Sequence, residues 1–249
     1  GLSGMAYAYF SSRMGFNVTV LEKDRFPGGL MRSVVEEGFT FDVGGSHVIF
    51  SRDADVLSFM LSLLENNSVE NRRNTAILYK GRLVKYPFEN GLSNLPLLEN
   101  FSCLLHFLYA RIRRKHEPRN LREFLYSSLG SAISEKYLIP YNEKIWKMNI
   151  EDMSLGFVGR IPNPRVIDVV KASLGIGSEG YVHQLFFHYP RKGGIQALVN
   201  SLQARMRGEV LTGFEVKHAR KESGEWVVSN GSVEKVFDRV VSTIPLHEA

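Results

Sequence analysis

The chain has 249 residues, of which 44% are hydrophobic and 23% are charged, and this composition argues against a disordered or fibrous protein. Its apolar runs are too short to span a bilayer. Its single cysteine, Cys103, excludes an internal disulfide framework and a cysteine metal cluster. We therefore expect a globular protein of a reducing compartment, the cytoplasm, with Cys103 in the core.

The sequence is basic, with 31 lysine and arginine residues against 26 acidic residues. This charge favours anionic partners but does not distinguish small anions, membrane phosphate and nucleic acid. We expect a small-molecule substrate and no nucleic-acid partner. The densest basic cluster, residues 111–116, ends a predicted amphipathic helix, and we interpret it as a complement to the negative C-terminal end of that helix. Contact of this cluster with a membrane surface is the alternative, and the sequence leaves the oligomeric state open.

The chain begins with Gly1-Leu2-Ser3-Gly4, the second half of a G-x-G-x-x-G loop, and continues with a predicted helix at residues 5–14. A predicted strand at residues 16–21 follows and ends at Glu22. The glycines let the backbone approach a pyrophosphate at the helix N-terminus, and an acidic residue about 20 positions downstream accepts hydrogen bonds from ribose hydroxyls. The pattern predicts a dinucleotide-binding βαβ unit whose first strand lies upstream of residue 1. Close helix packing is the alternative for the two glycines.

Two further glycine pairs follow the acidic strand end. Gly28-Gly29 lies within residues 25–32, and Gly44-Gly45 lies within residues 39–47, after a short predicted hairpin. In these segments the chain resembles the flavoprotein superfamily of amine oxidases, protoporphyrinogen oxidases and UDP-galactopyranose mutases, in which FAD lies extended along such a track. Successive glycine pairs leave bare backbone beside the isoalloxazine and the ribityl-pyrophosphate, whereas two tight hairpin turns are the alternative interpretation.

The resemblance implies bound FAD. It assigns the cofactor contacts to the glycine motifs, to the end of the acidic strand and to one residue near the C-terminal strands. These residues are Gly1, Leu2, Ser3, Gly4, Glu22, Lys23, Gly28, Gly29, Leu30, Gly44, Gly45, Ser46, His47 and Val216.

The middle of the chain alternates between helical and hairpin patterns. Apolar spacing predicts a helix at residues 53–64, capped by Ser51 or Asp53, and a hairpin of residues 76–79 and 82–88 around Lys80-Gly81. Residues 95–150 and 166–174 are predicted to be helical.

The last third of the chain is predicted to form a strand at residues 184–189, a helix from Gly193-Gly194 to residue 206, and then short strands. These strands are residues 210–211, 214–218, 226–228 and 236–242, with turns at Ser223-Gly224 and Asn230-Gly231. The tail, residues 238–246, resembles the segment where the flavoprotein chain crosses back beside FAD. Because further family segments would follow, we expect a fragment cut at both ends that holds FAD more weakly than the complete protein.

These elements predict an α/β fold with two interleaved domains. A Rossmann-like FAD-binding domain without its first strand comprises residues 1–75 and 190–249. A mainly helical substrate domain with a hairpin comprises residues 76–189.

Several ordered motifs resemble the UDP-galactopyranose mutases more narrowly, especially the eukaryotic type. They are residues 44–51, 86–90, 140–146, Arg160 and residues 189–194. The resemblance implies an FAD-dependent enzyme that contracts the ring of a nucleotide-linked sugar through a flavin N5 adduct, with no net consumption of electrons. A protoporphyrinogen-oxidase or amine-oxidase type oxidoreductase and a non-catalytic FAD-binding relative are the alternatives.

The mutase resemblance also implies catalytic residues, namely His47 beside the flavin and two cations, Arg160 and Lys192, that hold the substrate diphosphate. His47 has a structural alternative as a hairpin residue, and Arg160 as the partner of a carboxylate. Lys192 differs from the mutase pattern, which has arginine there. Ser46 differs as well, because it is inserted between the second glycine pair and His47.

The remaining substrate contacts implied by the resemblance are Tyr86 and Phe88, whose rings would stack on a base, together with Asn142 and Trp146. Asn142 could instead cap a turn, and Trp146 could belong to the core. Glu89 stands where the mutases commonly carry glutamine, and a carboxylate beside a uridine diphosphate must be neutralised.

Overall fold

The computed structural model describes residues 1–45, 47–113, 117–160, 163–176, 186–245 and 248, and it gives the backbone but not the side chains of residues 157, 159 and 160. The chain divides into two compact units. Unit 1 comprises Gly1–Arg72 and Phe186–Ala249, and unit 2 comprises Arg73–Leu185. These boundaries lie a few residues from the predicted domain boundaries at 75/76 and 189/190.

The α-helices of the described residues are α1 (Leu2–Arg13), α2 (Ala54–Leu64), α3 (Leu97–Ile112), α4 (Leu121–Ile133), α5 (Ile139–Trp146), α6 (Val166–Ser173) and α7 (Gln196–Arg205). The strands are β1 (Val18–Glu22), β2 (Ser33–Glu36), β3 (Phe39–Asp42), β4 (Ser68–Arg72), β5 (Ala76–Tyr79), β6 (Arg82–Lys85), β7 (Phe186–Pro190), β8 (Gly208–Thr212), β9 (His218–Glu222), β10 (Glu225–Ser229) and β11 (Glu234–Phe237). This mixture of helices and strands confirms the predicted α/β fold class.

Unit 1 contains a parallel pair, β1 and β8, in register from Val18 opposite Gly208 to Glu22 opposite Thr212. Parallel strands need a crossover connection, and apolar residues of three helices cover this pair. The buried core is formed by residues of α1, α2 and α7 together with Ile49 and Ile195, and its members are Met5, Tyr9, Ile49, Leu63, Leu64, Ile195, Leu198, Val199 and Leu202. The helices therefore fix the N-terminus of α1 beside the end of β1, as the predicted βαβ pattern requires.

The other strands of unit 1 form antiparallel arrangements. β2 and β3 form a hairpin, β4 pairs with β7, and β9, β10 and β11 form a sheet with β10 at its centre. β4 was not predicted, because its sequence, Ser-Val-Glu-Asn-Arg, has little apolar character and its partner β7 lies far along the chain.

Three predicted strands have different bounds in the structure. The prediction of a strand at residues 214–218 was wrong: residues 214–217 are irregular, because Phe214 N donates to Glu22 O at 2.9 Å and Lys217 N to Ser229 O at 2.8 Å. The strand predicted at 236–242 ends at Phe237 as part of β11. The strand predicted at 82–88 ends at Lys85, because Pro87 has no N–H group to donate to a partner strand and a short 3-10 turn, Phe88–Asn90, follows it.

Unit 2 contains the predicted hairpin, β5 and β6, with Lys80 at φ 47° and Gly81 at φ 76°, as a type I′ turn requires. Its helical part is built on α3 packed against α4. At the crossing, Gly130 has φ 79°, and a Cβ atom there would lie 2.5 Å from the carbonyl oxygen of His106, so only glycine permits this approach.

The core of unit 2 includes Cys103 and Phe107 of α3, both with 0% exposure, as predicted for Cys103. Burial raises the pKa of the Cys103 thiol to about 11. Among the described residues we find no helix with the length and apolarity that crossing a bilayer requires. In the same residues there is no group of three or more histidine, cysteine or acidic side chains able to bind a metal ion.

Candidate functional site

The candidate cofactor site of unit 1 is built on the N-terminus of α1. Gly1 is the N-cap, and in the described structure no side chain caps the helix and no acidic residue lies in its first turn. The first N–H groups of a helix lack intrahelical acceptors, and the helix dipole adds positive potential there. Glu22, at the end of β1, has one carboxylate oxygen 3.6 Å from the Gly1 nitrogen. The other oxygen accepts from Asp24 N at 3.2 Å. The carboxylate is therefore fixed beside the helix N-terminus.

The second glycine pair lies directly against the first motif. Gly28 and Gly29 have φ values of 129° and 57°, which side-chain-bearing residues rarely adopt. A Cβ atom at Gly29 would lie 3.1 Å from the Cα of Gly1, and a Cβ atom at Gly1 would lie 3.9 Å from Gly28 O. The structure thus brings backbone segments nearly 30 residues apart into contact, and the spacing at Gly29 is tight for a residue with a Cβ atom.

The third pair continues the contact. A Cβ atom at Gly44 would collide with the carbonyl oxygen of Leu30 and would lie 2.8 Å from the Leu30 Cβ. Gly45 has φ 93° with open space beside it. Ser46 lies outside the described residues. The three predicted glycine motifs therefore form one stretch in which backbone segments contact one another, Gly29 against Gly1 and Gly44 against Leu30.

His47 lies at the end of this stretch. Its Nδ1 is 3.0 Å from Gly45 O, and because a carbonyl only accepts, Nδ1 carries the proton in this contact. The Nε2 atom of the neutral ring is then an acceptor. The ring also lies against the glycine pair, since its Cε1 is 2.8 Å from the Cβ position of Gly44.

Arg32 holds the Gly28-Gly29 loop, although its sequence pattern does not indicate this role. Its Nε donates to Gly29 O at 3.0 Å, and its guanidinium lies 3.1 Å from the Asp24 carboxylate. Gln196 Nε2, at the start of α7, donates to Pro27 O at 3.0 Å. These contacts fix the loop from both sides, and an arginine after a glycine pair gives little sequence signal for such a role.

Asp42 is a second residue that sequence reasoning missed. One carboxylate oxygen accepts from Ser33 Oγ at 2.7 Å and from Ile195 N at 3.2 Å. The other accepts from the Tyr189 hydroxyl at 2.8 Å. The pKa of Tyr189 is raised to about 12, mainly by burial and to a smaller extent by the hydrogen bond to Asp42. The one sequence feature that could have indicated this role is the position of Asp42, a polar residue at the end of β3 and two residues before Gly44.

The β2–β3 hairpin also caps α7, which has no side-chain cap of its own. Gln196 N donates to Ser33 Oγ at 3.1 Å, beside the bond from Ile195 N to Asp42. Gly194 has φ 60°, and a Cβ atom there would collide with Ser33 Oγ. The hairpin that carries the third glycine pair is therefore anchored to the helix formed by distant sequence.

The remaining predicted cofactor residues lie around this centre. Lys23 Nζ is 3.4 Å from a Glu248 carboxylate oxygen. Val216 lies in the irregular segment after β8 and is 44% exposed. Thr243 Oγ1 is 2.8 Å from the Cβ position of Gly4, so the tail runs against the first turn of α1.

Lys192 is positioned through its backbone. Its N–H donates to Asn67 Oδ1 at 3.0 Å, and its carbonyl accepts from Asn67 Nδ2 at 3.0 Å. Among the described residues, no hydrogen bond or ion pair holds its exposed ammonium group. The fixed backbone and the uncommitted charge suit an anion-binding role.

In unit 2, Phe88 belongs to the core. It has 0% exposure, and its ring stacks on Tyr137 with centroids 5.0 Å apart and an interplanar angle of 8°. Tyr79 packs edge-on at 5.6 Å, and Tyr141 stacks on Tyr137 at 5.1 Å. The Phe88 ring therefore has no exposed face for a base, whereas Tyr141, 43% exposed, ends the aromatic row at the surface.

Tyr86 is half-buried, and burial raises its pKa. Glu89 is 2% exposed, and its Oε1 has no hydrogen-bond partner in the described structure. Burial raises the pKa of Glu89 to about 7. Below about pH 7 this side chain is therefore mainly the neutral carboxylic acid, as a glutamate beside a uridine diphosphate must be.

Three further predicted substrate residues have different surroundings. Asn142 is 4% exposed, and its Nδ2 donates to Leu138 O at 2.7 Å, one helical turn earlier. Trp146 is 47% exposed, which does not fit the alternative that placed it in the core. The Arg160 side chain lies outside the described part, while its backbone belongs to a 3-10 turn, Leu155–Arg160.

Comparisons with known proteins agree with this arrangement. Residues 2–249 match the family of flavin containing amine oxidoreductases. The fold is similar to that of a reduced UDP-galactopyranose mutase, with a TM-score of 0.85 and 25% identity over 97% of this chain and 53% of that chain. It is also similar to a protoporphyrinogen oxidase-type protein from Exiguobacterium sp. 255-15, with a TM-score of 0.67 and 22% identity over 96% and 56% of the two chains.

A curated relative, an inactive all-trans-retinol 13,14-reductase from Danio rerio, is 32% identical over 97 residues, which cover 36% of this chain and 16% of the relative. The chain spans about half the length of the solved structures that it matches, at 53% and 56%. Because the family match covers nearly the whole chain, and because the glycine motifs meet in the fold, the chain belongs to the flavin containing amine oxidoreductases.

Proposed function

We propose that this protein is an FAD-dependent flavoenzyme that acts on a nucleotide-linked sugar in the manner of a UDP-galactopyranose mutase. The observation that carries the proposal is the contact of Gly29 with the Gly1 backbone, continued by Gly44 against Leu30. A Cβ atom at Gly29 or Gly44 would press against the facing backbone, so both contacts depend on glycine. The residues therefore fit an extended dinucleotide with a flat ring.

Each part of the stretch has a role in holding this cofactor. The free N–H groups at the start of α1 would hold the pyrophosphate. Glu22 would accept hydrogen bonds from ribose hydroxyls. The backbone near Gly44 and the Nε2 of His47 would lie beside the ring. When bound, FAD supplies either a nucleophilic nitrogen in its reduced form or a hydride acceptor in its oxidised form.

The substrate assignment draws on the similarity to the mutase, at a TM-score of 0.85, and on cations of this chain. Lys192 has an uncommitted ammonium group, and Arg160 offers a guanidinium that can bind a diphosphate through two hydrogen bonds. Glu89 does not oppose an anionic ligand below about pH 7, because its raised pKa keeps it protonated.

A second candidate function is an oxidoreductase that transfers hydride to FAD. It is favoured by the full burial of Phe88, which removes one of the two predicted base-stacking rings. The similarity of the fold to a protoporphyrinogen oxidase-type protein accords with it.

One turnover experiment separates the two candidates. The purified protein is loaded with FAD, reduced once, and given UDP-galactopyranose without oxygen, and the ring-contracted product and the flavin spectrum are followed together. We expect many turnovers with the flavin still reduced, whereas the oxidised protein stays inactive. The absence of product, together with stoichiometric flavin reduction by an amine or a porphyrinogen, would instead support the oxidoreductase.

A further inference from the structure

The hydroxyl of Ser131, in α4, makes a different contact from several other helical serines of this protein. Serines inside a helix often donate to a carbonyl one turn earlier. Ser62, Ser127 and Ser134 do so at 2.7 to 3.0 Å. Among the described contacts Ser131 has no such bond, and its Oγ lies 2.6 Å from Nδ1 of His106, in α3. The hydroxyl is therefore paired with a side chain that can take up a proton.

A break in α4 places Ser131 beside His106. Gly130 has φ 79° and ψ 156°, so the helical conformation is interrupted and a new helical segment begins at Ser131. Helix α3 touches the chain at this break, because a Cβ atom at Gly130 would lie 2.5 Å from the carbonyl oxygen of His106. The close backbone contact fixes the crossing of α3 and α4 at the level of the two side chains, so their hydrogen bond joins two packed helices.

The surroundings of this bond indicate which group donates. A neutral imidazole accepts at Nδ1 when it carries its proton on Nε2. Within the described structure the Ser131 hydroxyl has no other hydrogen-bond partner, and His106 is exposed, so water can solvate an Nε2–H group. We therefore assign Ser131 Oγ as the donor and His106 Nδ1 as the acceptor. In this arrangement the imidazole is placed to remove the hydroxyl proton.

We propose that Ser131 and His106 form a second reactive site, in which Ser131 Oγ accepts the acyl group of an activated ester and His106 Nδ1 acts as its base. A hydroxyl hydrogen-bonded to a general base is the shared element of serine nucleophile sites. In the acylation step, the bond from Oγ to the acyl carbon forms and the ester C–O bond breaks. Nδ1 takes the Oγ proton and passes it to the leaving oxygen. Water then hydrolyses the acyl-serine to a carboxylic acid and restores the hydroxyl.

The start of the new helical segment adds to this chemistry, and the absence of a third group limits it. The segment continues from Ser131 through a π-helical turn, Ser134–Leu138, into α5. The first N–H groups of a helical segment lack intrahelical acceptors, and such groups stabilise a developing oxyanion. In the described residues no carboxylate pairs with His106, so the base lacks the orienting group of a Ser-His-Asp triad. We therefore expect slow acyl transfer, which is independent of the proposed flavin chemistry.

Acetylation of the purified full chain by p-nitrophenyl acetate tests the proposal. After a short exposure and an acid quench, peptide mass spectrometry measures the acetyl group on each serine. Ser127 is the matched internal control, because it lies one turn before Ser131 on α4, is also half-buried, and donates to Phe124 O at 3.0 Å. We expect Ser131 to be acetylated about a hundredfold faster than Ser127, since a positioned base typically gives a gain of this order.

The variant His106→Asn separates a base from a purely structural partner. Asparagine can keep a polar contact with Ser131 but cannot take its proton, so acetylation of Ser131 should slow about a hundredfold. Should His106→Asn fail to fold, the comparison of Ser131 with Ser127 in the unchanged chain decides alone. The proposal is overturned by equal acetylation of the two serines, by acetylation of neither, or by a folded His106→Asn protein that is acetylated at Ser131 as fast as the unchanged protein.

Discussion

The Asp42 carboxylate accepts a hydrogen bond at 2.8 Å from the hydroxyl of Tyr189, which lies 147 positions later in the chain. The same carboxylate accepts from Ser33 Oγ and Ile195 N. One side chain therefore joins the glycine-bearing hairpin to β7 and to the start of α7. This junction positions the third glycine pair within unit 1.

Replacement of this carboxylate should loosen the junction. We predict that Asp42→Asn lowers the free energy of unfolding by about 1–3 kcal/mol. Both carboxylate oxygens of Asp42 accept hydrogen bonds, so the NH2 group of an asparagine would face an N–H or O–H group and one of these bonds would be lost. Denaturant unfolding measures the change, and exposed Asp238→Asn serves as the control, with an expected effect within about 0.5 kcal/mol. Equal midpoints for the two variants would contradict the assigned role of Asp42.

The buried acid in unit 2 should give the protein a distinctive pH dependence. Glu89 has its pKa raised from 4.5 to about 7 in the folded state, so its contribution to stability is complete below about pH 4.5 and is lost as the pH rises to about 7. We predict that Glu89→Gln removes this loss and stabilises the protein by ~3 kcal/mol at about pH 8.

Unfolding midpoints of the Glu89→Gln and unchanged proteins at about pH 5 and about pH 8 measure this effect. The two proteins should differ little at the lower pH and clearly at the higher pH. A constant difference between them at both values would mean that Glu89 does not titrate in this interval.

The anion-binding role of Arg160 remains a prediction that ligand binding can test. Arg160→Ala should weaken UDP binding by several fold to a few hundred fold, because a lost charge-assisted hydrogen bond costs about 1.5–3 kcal/mol. Arg160→Lys should restore only part of the lost UDP affinity, because an ammonium group cannot form the bidentate hydrogen bonds of a guanidinium. Arg165→Ala is the matched control, because Arg165 is 80% exposed and pairs with Asp168. Unchanged UDP affinity in a folded Arg160→Ala protein would remove this residue from the site.

Lys192 allows a similar test in unit 1. Lys192→Ala should weaken UDP binding by less than Arg160→Ala, because an ammonium acts as a point charge. The hydrogen bonds to Asn67 involve the Lys192 backbone and not its side chain, so the melting temperature of the Lys192→Ala protein should be unchanged. A lowered melting temperature with unaltered UDP affinity would instead show a structural role.

Local chemistry made the glycine motifs predictable from sequence. Positive φ values at Gly28 and Gly29 and close backbone approach at Gly44 need a residue without a Cβ atom, and the sequence shows glycine directly. The α1 helix and β1 likewise follow from the motif, in which a glycine loop is followed by a helix and then by a strand that ends in an acidic residue. The hairpin turn at Lys80-Gly81 follows from its two residues alone.

Long-range pairing explains what sequence reasoning missed. Asp42 and Arg32 take their roles from partners that only the fold brings together, and β4 forms because β7 pairs with it. The burial of Phe88 was not predictable either, because an aromatic residue after a hairpin serves equally in a core or in a site. Its stacking on Tyr137 depends on a helix about 50 residues later.

The affinity for FAD of two glycine variants tests the central claim most directly. Gly29→Ala and Gly38→Ala both place a side chain at positive φ, 57° and 84°, at a similar cost of about 1–2 kcal/mol. Only Gly29→Ala also meets the Gly1 backbone, at 3.1 Å, whereas nothing lies within 4 Å at Gly38. Quenching of flavin fluorescence should show FAD binding weakened about tenfold or more in Gly29→Ala, because the displaced backbone loses a charge-assisted hydrogen bond to the pyrophosphate, and unchanged in Gly38→Ala. Equal FAD affinity in the two folded variants would contradict the account.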